Sequence, residues 1–170
     1  MQMKRTVLLT VALSSLAWCV SGKEKQSDKG ARNEMSSQRN FELLIPNTMH
    51  KPVGYSHVAT VTGGTIVFVA GQVALDKSGN LVGKDDFRAQ VQQVFENLKV
   101  AIEAAGGTFD DVIKMNSYLV DVSHLAEFRE VRDKYVNVKN PPTSTAVQVP
   151  RLARPEFLVE IEAVAVVRNK

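Results

Sequence analysis

The chain has 170 residues, 44% of them hydrophobic and 23% charged, with a single cysteine. That is one domain's worth of chain with enough apolar residues for one core, and it gives no sign of wholesale disorder or a polytopic membrane protein. The formal charge of +3 does not mark a nucleic-acid binder: residues 1–46 carry seven Lys/Arg against four Asp/Glu, whereas residues 47–170 carry 14 of each, so the body offers no basic cluster for counterion release.

In chain order, Met1–Arg5 is basic and Thr6–Val20 is an apolar run too short to span a bilayer comfortably. Small residues follow at Ser21 and Gly22. This is the pattern of a secretory signal peptide over residues 1–22, and it predicts a periplasmic or secreted protein with no stable membrane insertion after cleavage. Cys19 raises a lipoprotein alternative, disfavoured by Trp18 where a small residue normally precedes a lipidated cysteine. Since that cysteine lies in the leader, the body has no thiol nucleophile, disulfide or Cys-metal site. Residues 23–46 are polar and aperiodic and read as a linker, with Phe41, Leu43, Leu44 and Ile45 beginning to pack on the domain. The folded domain is placed at 47–170.

Tyr55–Val61 and Ile66–Ala70 read as strands, and Gly63-Gly64 between them suits a tight turn, so the pair is expected to form a β-hairpin. Asp76–Asn80 is a second turn. Asp85–Ala105 is the clearest helix: Phe87, Val91, Val94, Phe95, Leu98 and Ile102 recur at spacings of three and four. Asp85 or Asp86 can cap its start, and Gly106-Gly107 ends it. Val112–Val120 alternates, with Ile113, Met115, Ser117 and Leu119 on one face and Lys114, Asn116 and Tyr118 on the other. A second helix, capped by Asp121 or Ser123, carries Leu125, Phe128, Val131 and Tyr135. Pro141-Pro142 forces an extended chain, and Thr143–Val149 and Phe157–Val167 are the last strands.

The order ββ–α–β–α–ββ predicts an α+β fold, a single sheet with two helices packed on one face. The other sheet face needs cover, for which self-association is the economical source. The histidines His50, His57 and His124 are too scattered to argue for zinc, and no metal or organic cofactor is expected.

Several strings then resemble one family. Phe68-Val69-Ala70-Gly71-Gln72-Val73, Gln93–Lys99 through Glu103–Gly106, Asp110–Lys114, Pro141-Pro142 and Val159–Ala163 match, in order and spacing, the RidA/YjgF-type enamine/imine deaminases from about Lys51 to Val167. The resemblance implies a chorismate-mutase-like fold, a homotrimer with pockets at its subunit interfaces, and cofactor-free hydrolysis of a reactive enamine or imine with release of ammonia. It maps the pocket tyrosine and glutamate onto Tyr55 and Glu160 as catalytic residues, and Gly71, Gln72 and Ser144 onto substrate-binding positions. Ser144 is a departure. Pro-Thr-Ser-Thr-Ala stands here where the family usually has Pro-Ala-Arg-Ser-Thr, so the guanidinium that would clamp a carboxylate bidentately is missing. Altered substrate preference is therefore expected, with a non-catalytic trimeric metabolite binder as the alternative. Arg151 and Arg154, just beyond the strand, read as exposed loop charges within reach of the pocket mouth.

Overall fold

The computed structural model describes residues 39–169. The signal-peptide and lipidation expectations, and the linker up to residue 38, lie outside them. The elements are β1 (Phe41–Leu44), β2 (Val58–Val61), β3 (Thr65–Gln72), α1 (Phe87–Ala104), β4 (Val112–Leu119), α2 (Leu125–Arg132), β5 (Thr143–Gln148) and β6 (Val159–Val167). Single 3-10 turns at Phe109–Asp111 and Val122–His124 lead into β4 and α2.

The main sheet has the order β3-β6-β4-β5 and is mixed, with β4 and β5 parallel and the other neighbours antiparallel. Both helices pack on one face. Val91, Val94, Phe95, Leu98 and Ile102 of α1 are fully buried and meet Phe128 and Val131 of α2. Beneath them lie Met115 and Leu119 of β4 and Val159, Ile161, Ala163 and Ala165 of β6. Each large side chain removed from water in this way contributes roughly 1.5–3 kcal/mol. Asp86 caps α1 by accepting from the Ala89 N–H at 3.0 Å. Gly106, at φ +83°, closes its far end: its N–H reaches Glu103 O and that of Gly107 reaches Ile102 O. Asp121 accepts from Ser123 N–H, so it caps the 3-10 turn ahead of α2 rather than the helix itself.

Three expectations need correction. The hairpin does not form: β3 pairs with β6 and β2 pairs with β1, and the two strands lie in separate sheets. Gly64 suits the turn to that pairing: at φ +89° it passes so close to Val167 O and the Val166 side chain that a β-carbon would collide with both, and the next residue, Thr65, pairs with Val167. Second, Phe41–Leu44 is a strand rather than linker, with Phe41 only 4% exposed. Third, Ile113 does not share a face with Met115. The β4–β6 register shifts between Val112 and Lys114, turning Ile113 to the face away from the helices. There it meets Val166 and Phe41, with Leu43 and Ala59 of the β1–β2 ribbon packed around them.

The second face of the main sheet is therefore partly covered by this chain's own ribbon. The remainder is open: Phe68 is 80% and Ile66 50% exposed.

Candidate functional site

Apart from Gln72, the residues singled out from the sequence fall into two groups on different surfaces of the chain. One group is on the open sheet face. Glu160 of β6 lies directly over Gly71, whose missing side chain makes room for it: a β-carbon there would overlap Glu160 Oε1 and stand 2.9 Å from Cδ. Glu160 faces Tyr118 across the β4–β6 pairing. Glu162, two residues on, is engaged differently. Its Oε1 accepts from Asn116 Nδ2 at 2.7 Å and from the Tyr118 hydroxyl at 3.1 Å. That bond, together with burial and the negative charges of Glu162 and Glu160, raises the Tyr118 phenol above its ordinary range. Glu160 accepts no hydrogen bond from any described residue. The two acids are equivalent by alternation along the strand, and hydrogen bonding separates them: Glu162 is committed to structure, and Glu160 is available to a ligand or water. Alongside, Phe68, Lys114, Asn116, Glu162 and Val164 line a concavity of about 430 Å³.

Gln72 turns away from this concavity. Its amide donates to Ala70 O at 3.0 Å, and with Gly71 it borders a shallow depression beside Asn97 and Val100 of α1.

The second group lies between α2 and the edge strand β5. Tyr55 and Ser144 share a groove with Phe128, Arg129 and Arg132. The chain places them together through Ser56, whose Oγ donates to Pro141 O at 2.7 Å and whose N–H donates to Pro142 O at 3.1 Å. Ser56 is bridged to Thr143, the first residue of β5. The Pro-Pro segment has no N–H groups to offer a partner strand, and its carbonyls hold the tyrosine loop instead. The Tyr55 hydroxyl is 3.1 Å from His50 Nε2, and His57 packs edge-on against both rings. Gly54, at φ +74°, lets the loop close onto the Arg132 guanidinium, which a β-carbon at that position would strike. Neither Arg151 nor Arg154 lines this groove, and Arg154 stacks on Phe157 at 5.3 Å.

Comparison with known proteins covers the same part of the chain. Residues 47–167 match the family model described as Endoribonuclease L-PSP. A RutC family protein of Pyrococcus horikoshii is 40% identical over 126 residues, which are 73% of this chain and 96% of that one. This chain belongs to the RidA/YjgF family. Solved Rid structures carry the same fold. A conserved Rid family protein, YyfB, from Yersinia pestis superposes with a TM-score of 0.69 at 36% identity, covering 75% of this chain and 99% of its own. RidA from an Antarctic Psychrobacter gives 0.57 at 38% identity, covering 63% and 85%.

Within this Rid domain, sequence reasoning missed His50, Arg129 and Arg132. A histidine in a loop signals metal binding first, and no group of three or more potential metal ligands forms among the described residues. Arg129 and Arg132 are three apart on α2, hence on one helical face. That spacing is the signal the sequence carries, and the apolar stripe of the same helix masks it.

Proposed function

We propose that this Rid protein hydrolyses a reactive enamine or imine, with Glu160 as the group that activates water. The observation that carries the reading is the contrast between the two acids of β6. Glu162 is held by Asn116 and Tyr118, whereas Glu160 is half-buried over Gly71 with no protein hydrogen bond among the described residues. In the reaction an enamine first takes a proton at carbon to become the protonated imine. Water then adds its oxygen to the C=N carbon as the carboxylate accepts its proton. The carboxylic acid returns that proton to the carbinolamine nitrogen, the C–N bond breaks as ammonia leaves, and the hydroxyl gives up its proton as the C=O bond forms, replacing the proton taken up at carbon. No oxidant, reductant or metal enters the balance.

Tyr55 and Glu160 occupy different surfaces of one chain, so this reading makes the site intermolecular. In a homotrimer the Tyr55–Ser144 groove of one subunit is set against the open face bearing Glu160 of its neighbour. The exposure of Phe68 and Ile66 beside that face supports such an assembly. The apolar leader supports a location in the periplasm or outside the cell.

The test is ammonia release from imines generated in situ by an amino-acid oxidase, comparing wild type with Glu160→Ala. Equal rates at the uncatalysed level end the proposal. Mixing Tyr55→Phe with Glu160→Ala chains under subunit exchange tests the shared site, since a fraction of the mixed interfaces regains both groups.

Ser144 favours a second reading, a trimeric metabolite binder without turnover, because a hydroxyl replaces the guanidinium expected there. Ser144→Arg discriminates: hydrolysis of 2-aminoacrylate created from nothing marks the natural protein as something other than that deaminase. A ribonuclease reading follows from the wording of the family model's description. It has less support here, because residues 47–170 carry equal numbers of acidic and basic side chains.

A further inference from the structure

The groove beside Ser144 contains guanidinium groups that come from the wrong element to be found by aligning strands. Arg132, in the last turn of α2, is 5% exposed and packs beneath Gly54. Its Nε and Nη2 both donate to Asp133 Oδ1, at 2.9 and 2.7 Å. The Nη1 donors have no partner among the described residues, and they are not sealed from the groove that the residue lines. One turn earlier, Arg129 is half-buried in the same groove, and its guanidinium forms no hydrogen bond or ion pair with any described residue.

Solvent-facing arginines on short helices usually find a carboxylate or extend into water. The neighbouring acids show the usual outcome: Glu127 and Glu130 both hold Arg88, at 2.9 and 2.6 Å. Asp133 is the acid paired with Arg132 and is committed through one oxygen. Arg129 is thus left, among the described residues, as an unneutralised cation in a partly desolvated cleft of about 320 Å³. Charge-assisted donors in such a place are suited to a carboxylate.

We infer that Arg129, with Arg132 as a fixed second donor, forms the anion-binding end of the groove and takes a small carboxylate from the helix side. The inference deepens the deaminase reading and rests on it for treating this groove as a substrate pocket. It reverses the polarity that strand alignment suggests. The ligand's carboxylate lies against α2, and its uncharged, reactive end points toward the hydroxyls of Ser144 and Tyr55 on the opposite wall. The missing arginine of β5 is then a relocated cation rather than a lost one, and the preferred ligands are small oxo- or imino-acids.

Binding is measured with two probes of the same shape, pyruvate and its neutral amide pyruvamide, by isotope-edited NMR at low ionic strength, where charge contributes most. Wild type is expected to prefer pyruvate by roughly tenfold or more, with shifts at the Tyr55 and Ser144 amides. Arg129→Gln is expected to remove that preference, weakening pyruvate roughly ten- to a hundredfold while leaving pyruvamide unchanged. Arg129→Lys restores part of it. Arg129 has no described partner to lose, so Arg129→Gln keeps the fold even if the buried Arg132→Gln variant does not. Equal pyruvate binding by wild type and Arg129→Gln, no preference for pyruvate over pyruvamide, or no pyruvate binding at millimolar concentration overturns the inference. The ammonia assay is scored separately. Arg129-dependent pyruvate binding without turnover sinks the deaminase reading and leaves the anion site standing. Turnover that ignores Arg129 does the reverse.

Discussion

Adding one methyl group at Gly71 should silence Glu160 without unfolding the protein. In Gly71→Ala the new β-carbon overlaps Glu160 Oε1 and falls 2.9 Å from Cδ and 3.1 Å from Cγ. All of these atoms belong to one flexible side chain, so the conflict is relieved by rotating the carboxylate away. Gly71 is not among the residues with positive φ, so alanine brings no backbone strain. The stability change should therefore stay within about 1 kcal/mol. The catalytic change should approach that of deleting the acid, on the order of 10²–10⁴ in turnover for a lost general base. Thermal melting and ammonia release measured on the same preparation separate the two effects. The double variant Gly71→Ala/Glu160→Ala should be no slower than Glu160→Ala alone, since both changes act on one group. A folded Gly71→Ala protein with wild-type turnover refutes the assignment of Glu160.

Gln90 is fully buried and ties three stretches of chain together. Its Nε2 donates to Gly83 O and Glu156 O, and its Oε1 accepts from Leu158 N–H at 2.9 Å. Gln90→Ala strands Glu156 O and Leu158 N–H, while Gly83 O keeps the Asp86 N–H at 3.1 Å, and should cost about 2–4 kcal/mol, read as a lower urea midpoint. Ser117 Oγ is buried without a partner among the described residues, so Ser117→Ala should be neutral or stabilising by up to about 1 kcal/mol in the same assay. Tyr135 stacks on Phe95 at 4.8 Å and donates to Glu96, and burial first, then that bond, pushes its phenol up to about 12. A raised value favours the protonated form in the folded state. The associated stability is complete below pH about 10, the ordinary tyrosine range, and declines as pH rises toward about 12. Tyr135→Phe should flatten that alkaline decline in a pH series of melts. Mass analysis of secreted protein should place the mature N-terminus after Gly22, and intact Met1 on cytosolic protein removes the export reading.

The parts of the fold that were legible are those where the deciding interactions are local. The α1 stripe from Phe87 to Ile102 and the Gly106-Gly107 stop depend on neighbours within a turn or two, and they appear where the spacing puts them. Strand pairing was illegible for the opposite reason. The β3–β6 pairing joins Thr65 to Val167, near opposite ends of the domain, and nothing near Gly63-Gly64 reveals that the turn feeds a distant strand. Ile113 misled because a one-residue shift in register inverts the side to which a strand residue points. At the site, alternation could place Glu160 and Glu162 on one face but could not choose between them. The choice needed Asn116 and Tyr118, which reach β6 from another strand.

The ribbon of β1 and β2 sets a limit on how far this protein can be trimmed. Phe41 sits against Ile113 and Val166, so a chain reduced to the family match, starting at residue 47, lacks the piece that shields them. A maturation protease or an expression vector that began the chain there would leave a greasy scar on the sheet. Such a shortened form should clump or swap segments between copies, while one starting at Arg39 keeps its own plug.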